Sequence, residues 1–155
     1  MTPSALLYGE TLVWVTFDRQ RVVSAAVRWM LRAALGPIEV RLEMVEAPAA
    51  EEASGLVEQQ RAGLLTLVLE DEDQAAACKS LRRVQLRRPD CVRCVVLPEL
   101  QPIDDLRLLE TGAQIVVHQI PCLQRLLPRL LATAPRKAGG THLLTSGLVE
   151  RLPWA

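Results

Sequence analysis

Five times along this chain, a short apolar run suited to a buried strand gives way to a stretch of helical spacing. No other feature constrains the fold as tightly. Strands joined through a helix run parallel, because a tight hairpin cannot connect them. A parallel sheet in turn needs helices over both faces. The strand-like runs are Leu12-Val13-Trp14-Val15, residues 38–45, Leu64-Leu65-Thr66-Leu67-Val68-Leu69, residues 91–97 and Gln114-Ile115-Val116-Val117-His118. Helices are expected over 19–35, 49–61, 74–87, 102–110 and 121–132.

The pattern inside each segment assigns its place. Residues 12–15 and 64–69 are almost wholly apolar, as strands covered on both faces are. Residues 38–45 alternate instead. Ile38, Val40, Leu42 and Met44 share one face, and Glu39, Arg41 and Glu43 share the other. That is a half-exposed strand at a sheet edge, where charge also discourages pairing with another chain. Val23, Val27, Met30 and Ala34 line the first helix until Gly36-Pro37 stops it. In the third helix Ala77, Leu81 and Val84 point inward and Lys79, Arg82, Arg83 and Arg87 outward. Leu123, Leu126, Leu127, Leu130 and Leu131 make one apolar face of the last helix, which Pro128 is expected to kink. Right-handed crossovers leave few topologies. The expectation is an α/β domain with a five-stranded parallel sheet in the flavodoxin-like order 2-1-3-4-5 and helices on both faces. Residues 1–10 read as a leader, 11–134 as the domain and 135–155 as a tail.

Composition narrows the function. A chain of 155 residues that is 50% apolar and 23% charged suits one domain with a full core. Eighteen cationic residues balance eighteen acidic ones, so no bulk attraction to nucleic acid is expected. Aromatic residues make up 3%, too few for base-stacking platforms. Four cysteines are too few for a disulfide scaffold, and no apolar run reaches the roughly 18–20 residues that span a bilayer. The reading is a cytoplasmic chain with reduced thiols and neither membrane nor nucleic-acid partners. Glycine-rich phosphate loops, H-E-x-x-H and G-x-S-x-G are missing, so no cofactor, metal or catalytic residue is expected.

Ligands of such sheets bind at the carboxyl ends of the strands. Thr16-Phe17-Asp18, Glu70-Asp71, Leu97-Pro98-Glu99 and His118-Gln119 stand there. The stretch Glu110-Thr111-Gly112-Ala113-Gln114-Ile115-Val116-Val117-His118-Gln119-Ile120-Pro121 resembles the receiver domain of two-component response regulators. That family has Gly-Ala here, then a short strand, a Lys-Pro pair and the last helix. Val15-Thr16-Phe17-Asp18-Arg19 looks like the family's acidic turn after the first strand. The resemblance covers about residues 11–133. It implies a site in which acidic residues after the first strand hold Mg²⁺ and an Asp ending the third strand accepts a phosphoryl group. A hydroxyl residue ending the fourth strand and a Lys ending the fifth bind its oxygens, so that cations neutralise the charge of the acyl phosphate.

This sequence departs from each of those positions. Thr16 and Phe17 fall where the acidic pair is expected, Glu70 or Leu69 at the acceptor, Leu97-Pro98 at the hydroxyl and His118 near the lysine. The resemblance therefore implies a pseudo-receiver with a vestigial site of Asp18, Glu70, Asp71 and His118. Its expected work is binding a protein partner, or a second copy, through the fourth helix, fifth strand, fifth helix or tail. Ile103, Leu123, Leu127, Leu130 and Trp154 are the candidate contact residues. Two other readings stand beside it. One is a Mg-dependent phosphorylatable switch using Asp18 with Glu70 or Asp71. The other is a small flavodoxin-like enzyme using His118 and Asp18.

Other side chains have structural readings. Asp18 can cap the first helix. Cys91 and Cys94 lie three apart in a strand and so point to opposite faces, which argues against a disulfide or shared metal. Cys122, just after Pro121, is better placed for a lowered pKa but has no evident base. Arg82, Arg83, Arg87, Arg88 and Arg93 form the densest basic group, read either as an anion or acidic-partner surface or as a solvated face paired with carboxylates. Trp154, and Trp29 on the first helix, are possible interface anchors.

Overall fold

The computed structural model describes residues 10–33, 41–98 and 104–138. Strands β1 (Glu10–Phe17), β2 (Arg41–Glu46), β3 (Leu64–Val68), β4 (Val92–Val96) and β5 (Ile115–Val117) form a parallel sheet in the order β2-β1-β3-β4-β5. The helices are α1 (Val22–Ala33), α2 (Ala53–Gln60), α3 (Gln74–Arg87), α4 (Asp104–Thr111) and α5 (Ile120–Thr133). Strand order and edge placement follow the sequence pattern. On β2, Leu42 and Met44 pack partly on the core while Glu43 is exposed. Ile38, Glu39, Val40 and Ala34 lie outside the described residues.

The period of two along each strand divides the core into two layers. Leu12, Trp14, Leu64, Val68, Cys94 and Val96 face α1 and α5. Val13, Val15, Phe17, Leu65, Leu67, Val95 and Leu97 face α2, α3 and α4. One polar relay crosses the first layer. The Trp14 indole N–H donates to Thr66 Oγ1 at 2.9 Å, and the Thr66 hydroxyl donates to Thr16 Oγ1 at 2.9 Å. Each donor is satisfied, so burying them costs little.

Two features differ from the sequence expectation. A sixth strand, β6 (Lys137–Ala138), pairs antiparallel with Glu10 and Thr11 of β1, so the stretch read as the start of a tail joins the sheet. Gly63 makes room for that return: a Cβ there would lie 2.0 Å from the Pro135 carbonyl oxygen. Helix α5 continues past Pro128, which sits on its exposed side. Arg93, grouped with the basic surface, is buried, its guanidinium donating to the carbonyls of Gly112, Pro89 and Cys91 at 2.6, 3.1 and 2.9 Å. Three carbonyls compensate the desolvated charge that a strand interior would otherwise reject. Among the described residues no helix is long and apolar enough to cross a membrane.

Candidate functional site

At the carboxyl end of β1, Asp18 turns back on its own helix. Its Oδ2 accepts the backbone N–H of Val23 at 2.5 Å, satisfying a donor that the first turn of α1 leaves open. Its Oδ1 is buried without a partner among the described residues. Arg21 takes a left-handed φ of 56° to bring the chain from the strand into the helix.

Next in the sheet, β3 ends and the chain enters the acidic run 70–73. Glu70 Oε1 accepts from the Gln20 amide at 3.1 Å. Asp73 is buried, and its Oδ2 accepts the Glu70 backbone N–H at 3.1 Å. The carboxylates of Glu70, Glu72 and Asp73 lie within 4.8 Å of one another. Asp18 stands outside this group, and of Asp71 only the backbone is described. A cation already serves the cluster: Arg19 reaches across from the β1 loop, with Nη1 2.6 Å from Glu72 Oε1 and Nη2 3.2 Å from Asp73 Oδ1. Its Cζ sits 5.4 Å from the centre of the Phe17 ring, a cation–π distance. Phe17 itself is 1% exposed and belongs to the core.

His118, just beyond β5, is tied elsewhere. Its Nε2 lies 2.7 Å from Asp105 Oδ2 on α4, while Nδ1 is buried without a partner among the described residues. A cavity of about 440 Å³ beside it is lined by Ile115, Val116, His118, Gln119, Cys122 and Leu126, among others. Asp18 is not in that lining. Strands β1 and β5 are three places apart, roughly 14 Å at the usual spacing. The expected pairing of His118 with Asp18 in one active site is thus corrected: sheet order separates them, and each has its own partner.

The contact residues need correction too. Leu123, Leu127 and Leu130 are 0%, 0% and 2% exposed, because α1 and the sheet together cover all of the α5 stripe but the half-buried Leu126. They cannot meet a partner in the folded chain. Ile103 and Trp154 lie outside the described residues, as does the side chain of Trp29. Among the described residues, the exposed large apolar side chains are instead Leu86, Leu106, Leu109 and Ile120. Cys91 and Cys94 point into opposite layers, and burial pushes both thiols up to about 12.

The sequence reading missed Arg19 and Asp105. For Arg19 a signal existed: order 2-1-3-4-5 makes β1 and β3 neighbours, which sets a cation of one loop beside the acidic run of the next. Asp105 needs the position of α4 over β5, which no local pattern supplies.

Doubly wound parallel sheet, five flanking helices and a strand-end site define an α/β domain of the flavodoxin-like kind. Comparison with solved structures narrows this to the receiver fold of response regulators. No family model and no curated protein matches the sequence. A CheY-like protein (TadZ) from Pseudomonas aeruginosa is 18% identical, with a TM-score of 0.57 over 80% of this chain and 96% of that one. A response regulator from Thermotoga maritima is 14% identical, with a TM-score of 0.59 over 79% and 98%. An atypical orphan response regulator, described as having a phosphorylation-independent regulatory mechanism, is 13% identical, with a TM-score of 0.55 over 77% and 95%.

Proposed function

We propose that this chain is a non-catalytic pseudo-receiver, a cytoplasmic module that binds a protein partner or a second copy of itself in a signalling or regulatory assembly. One observation carries the reading: the Arg19 guanidinium bridges Glu72 and Asp73 at the end of β3. The positive charge that a receiver takes from Mg²⁺ is here a side chain of the protein. The residues at the positions where a receiver holds that cation do not fit it. Phe17 is core where an acidic ligand is expected, one Asp18 oxygen is spent on the Val23 amide, and Glu70 is held by Gln20. The His118 imidazole, near the expected lysine, is paired with Asp105 on α4.

The surface supports the binding role. Three of the four exposed large apolar side chains among the described residues, Leu106, Leu109 and Ile120, lie on α4 and at the start of α5. Exposed apolar groups gathered on neighbouring elements favour association. The phosphorylation-independent mechanism ascribed to one structural neighbour is in keeping with this.

Amide NMR tests the reading. The chain is titrated with Mg²⁺ and then with beryllofluoride, a phosphoryl mimic. A flat response at Asp18, Glu70, Asp71 and His118 is expected. Saturable shifts confined to those residues would establish the Mg-dependent switch in its place.

A further inference from the structure

A second cavity, about 570 Å³, lies between α3 and α4, and its lining is chemically one-sided. Five of its nine lining residues are cationic and none is acidic: Lys79, Arg82, Arg83 and Arg87 on α3, and Arg107 on α4. The whole chain has no net charge, so this is segregation rather than a general excess. Glu58 of α2 answers part of it, 2.8 Å from Arg83 and 3.9 Å from Arg87. Lys79, Arg82 and Arg107 have no carboxylate within ion-pair distance among the described residues. In the same lining stands Leu86, 76% exposed. It lies one turn beyond Arg82 and Arg83, so the apolar side chain shares their helical face.

We propose that this groove docks an acidic amphipathic helix of a partner protein. The cations are spread along α3 from residue 79 to 87, about 12 Å at 1.5 Å per residue. A phosphate-sized anion cannot span that length, whereas carboxylates on successive turns of a helix can. Leu86 supplies the apolar contact for a leucine stripe that runs beside those carboxylates. No aromatic side chain lines the groove to stack a base, which sets nucleic acid behind protein as the occupant. Charge complementarity of this kind acts mainly on encounter and selectivity, with the apolar contact holding the complex.

The proposal rests on the interaction-module reading and names a surface and a partner class for it. None of its residues belongs to the strand-end cluster, so the two stand or fall on different signals. The test uses the whole chain and a synthetic fifteen-residue helical peptide, with a row of glutamates beside a leucine stripe (about four turns). Controls are the same peptide with lysine for glutamate, the same with glutamine for leucine, and an oligonucleotide of equal charge. Amide shifts confined to 75–87 and 107–111 are expected, with an affinity that falls as salt is raised. The Arg82→Glu/Arg107→Glu variant should weaken binding at least tenfold, and Leu86→Ser at least threefold. All three side chains are exposed, and unchanged melting will show that the variants fold. Shifts elsewhere, no saturable binding, or full affinity in the double variant would overturn the proposal. So would equal binding of the leucine-free peptide, which marks a plain anion patch, or of the oligonucleotide, which marks a nucleic-acid surface.

Discussion

Removing the Arg19 side chain should make the carboxylate cluster that it partly neutralises a better site for a divalent cation. Glu70, Glu72 and Asp73 present oxygens within 4.8 Å of one another, close enough to share one ion with waters completing its shell. In the native chain such an ion would sit roughly 5 Å from the guanidinium, and at the dielectric of water a double charge is repelled there by about 1.7 kcal/mol. Screening at 0.1 M salt lowers this to about 1 kcal/mol. Arg19→Ala should therefore raise affinity for Mn²⁺ roughly fivefold at that ionic strength and roughly fifteenfold at low salt. Paramagnetic broadening of the amides of residues 70–73 during a Mn²⁺ titration reads the midpoint directly. Arg19→Lys, which keeps the charge, should stay near the native midpoint. The same substitution costs stability, because Asp73 is buried and loses one of its two partners. Arg19 and Glu72 are half or more exposed, so their pair adds little. A net loss of about 1 kcal/mol, or about 2–4 °C in melting temperature, is expected. Mn²⁺ should restore it in Arg19→Ala at concentrations that stabilise the native chain markedly less. Equal Mn²⁺ midpoints in native and Arg19→Ala proteins would refute the argument that Arg19 stands in for the ion.

Three further outcomes follow from the core. Native protein should show one fast-reacting thiol toward an aromatic disulfide reagent at pH 8, that of half-buried Cys122, with Cys78, Cys91 and Cys94 reacting only on unfolding; a second fast equivalent would contradict their burial. Stability should be level in this respect below pH 9 and fall between pH 9 and 12, because the unfolded thiols ionise near 9.0 while burial holds folded Cys91 and Cys94 neutral to about 12. The loss at pH 10 is on the order of 1 kcal/mol per thiol, and urea midpoints at pH 8 and 10 should converge in a Cys91→Ala/Cys94→Ala variant if the thiols cause it. Gly112→Ala should cost about 2 kcal/mol or more in urea unfolding, since φ is +132° and the new Cβ would lie 2.8 Å from the Leu81 carbonyl oxygen; a cost under about 0.5 kcal/mol would show that the α4–β5 turn relaxes freely.

Strand order was legible because two local patterns were unambiguous. Alternation of Leu42 and Met44 with Glu43 demanded an edge, and the unbroken apolar runs of β1 and β3 demanded the centre. The placement of Cys91 and Cys94 in opposite layers followed from strand period alone. What escaped the reading depends on distant partners. Arg93 is buried because a turn twenty residues on supplies a carbonyl, and nothing near it in sequence announces that. Lys137–Ala138 is too short for any pattern and pairs only because β1 extends past β3 at its start. The leucine stripe of α5 was correctly drawn and wrongly assigned. Whether a stripe is covered depends on how far α1 leans over it, and periodicity is blind to that.

The separation between sealed strand ends and uncovered helix faces has a physical basis. In a doubly wound sheet the strand ends carry loops whose polar groups must be satisfied, by a ligand or by the chain itself. Here Val23 satisfies Asp18, Gln20 satisfies Glu70, Arg19 satisfies Glu72 and Asp73, and Asp105 satisfies His118. The chain's own groups thus occupy much of the strand-end polar surface, while Asp18 Oδ1 and His118 Nδ1 keep no partner among the described residues. The outer faces of α3 and α4 are under no such demand, since Leu81, Val84 and Leu108 on their inner faces already secure the helices. Leu86, Leu106 and Leu109 are therefore exposed without being needed to secure their helices.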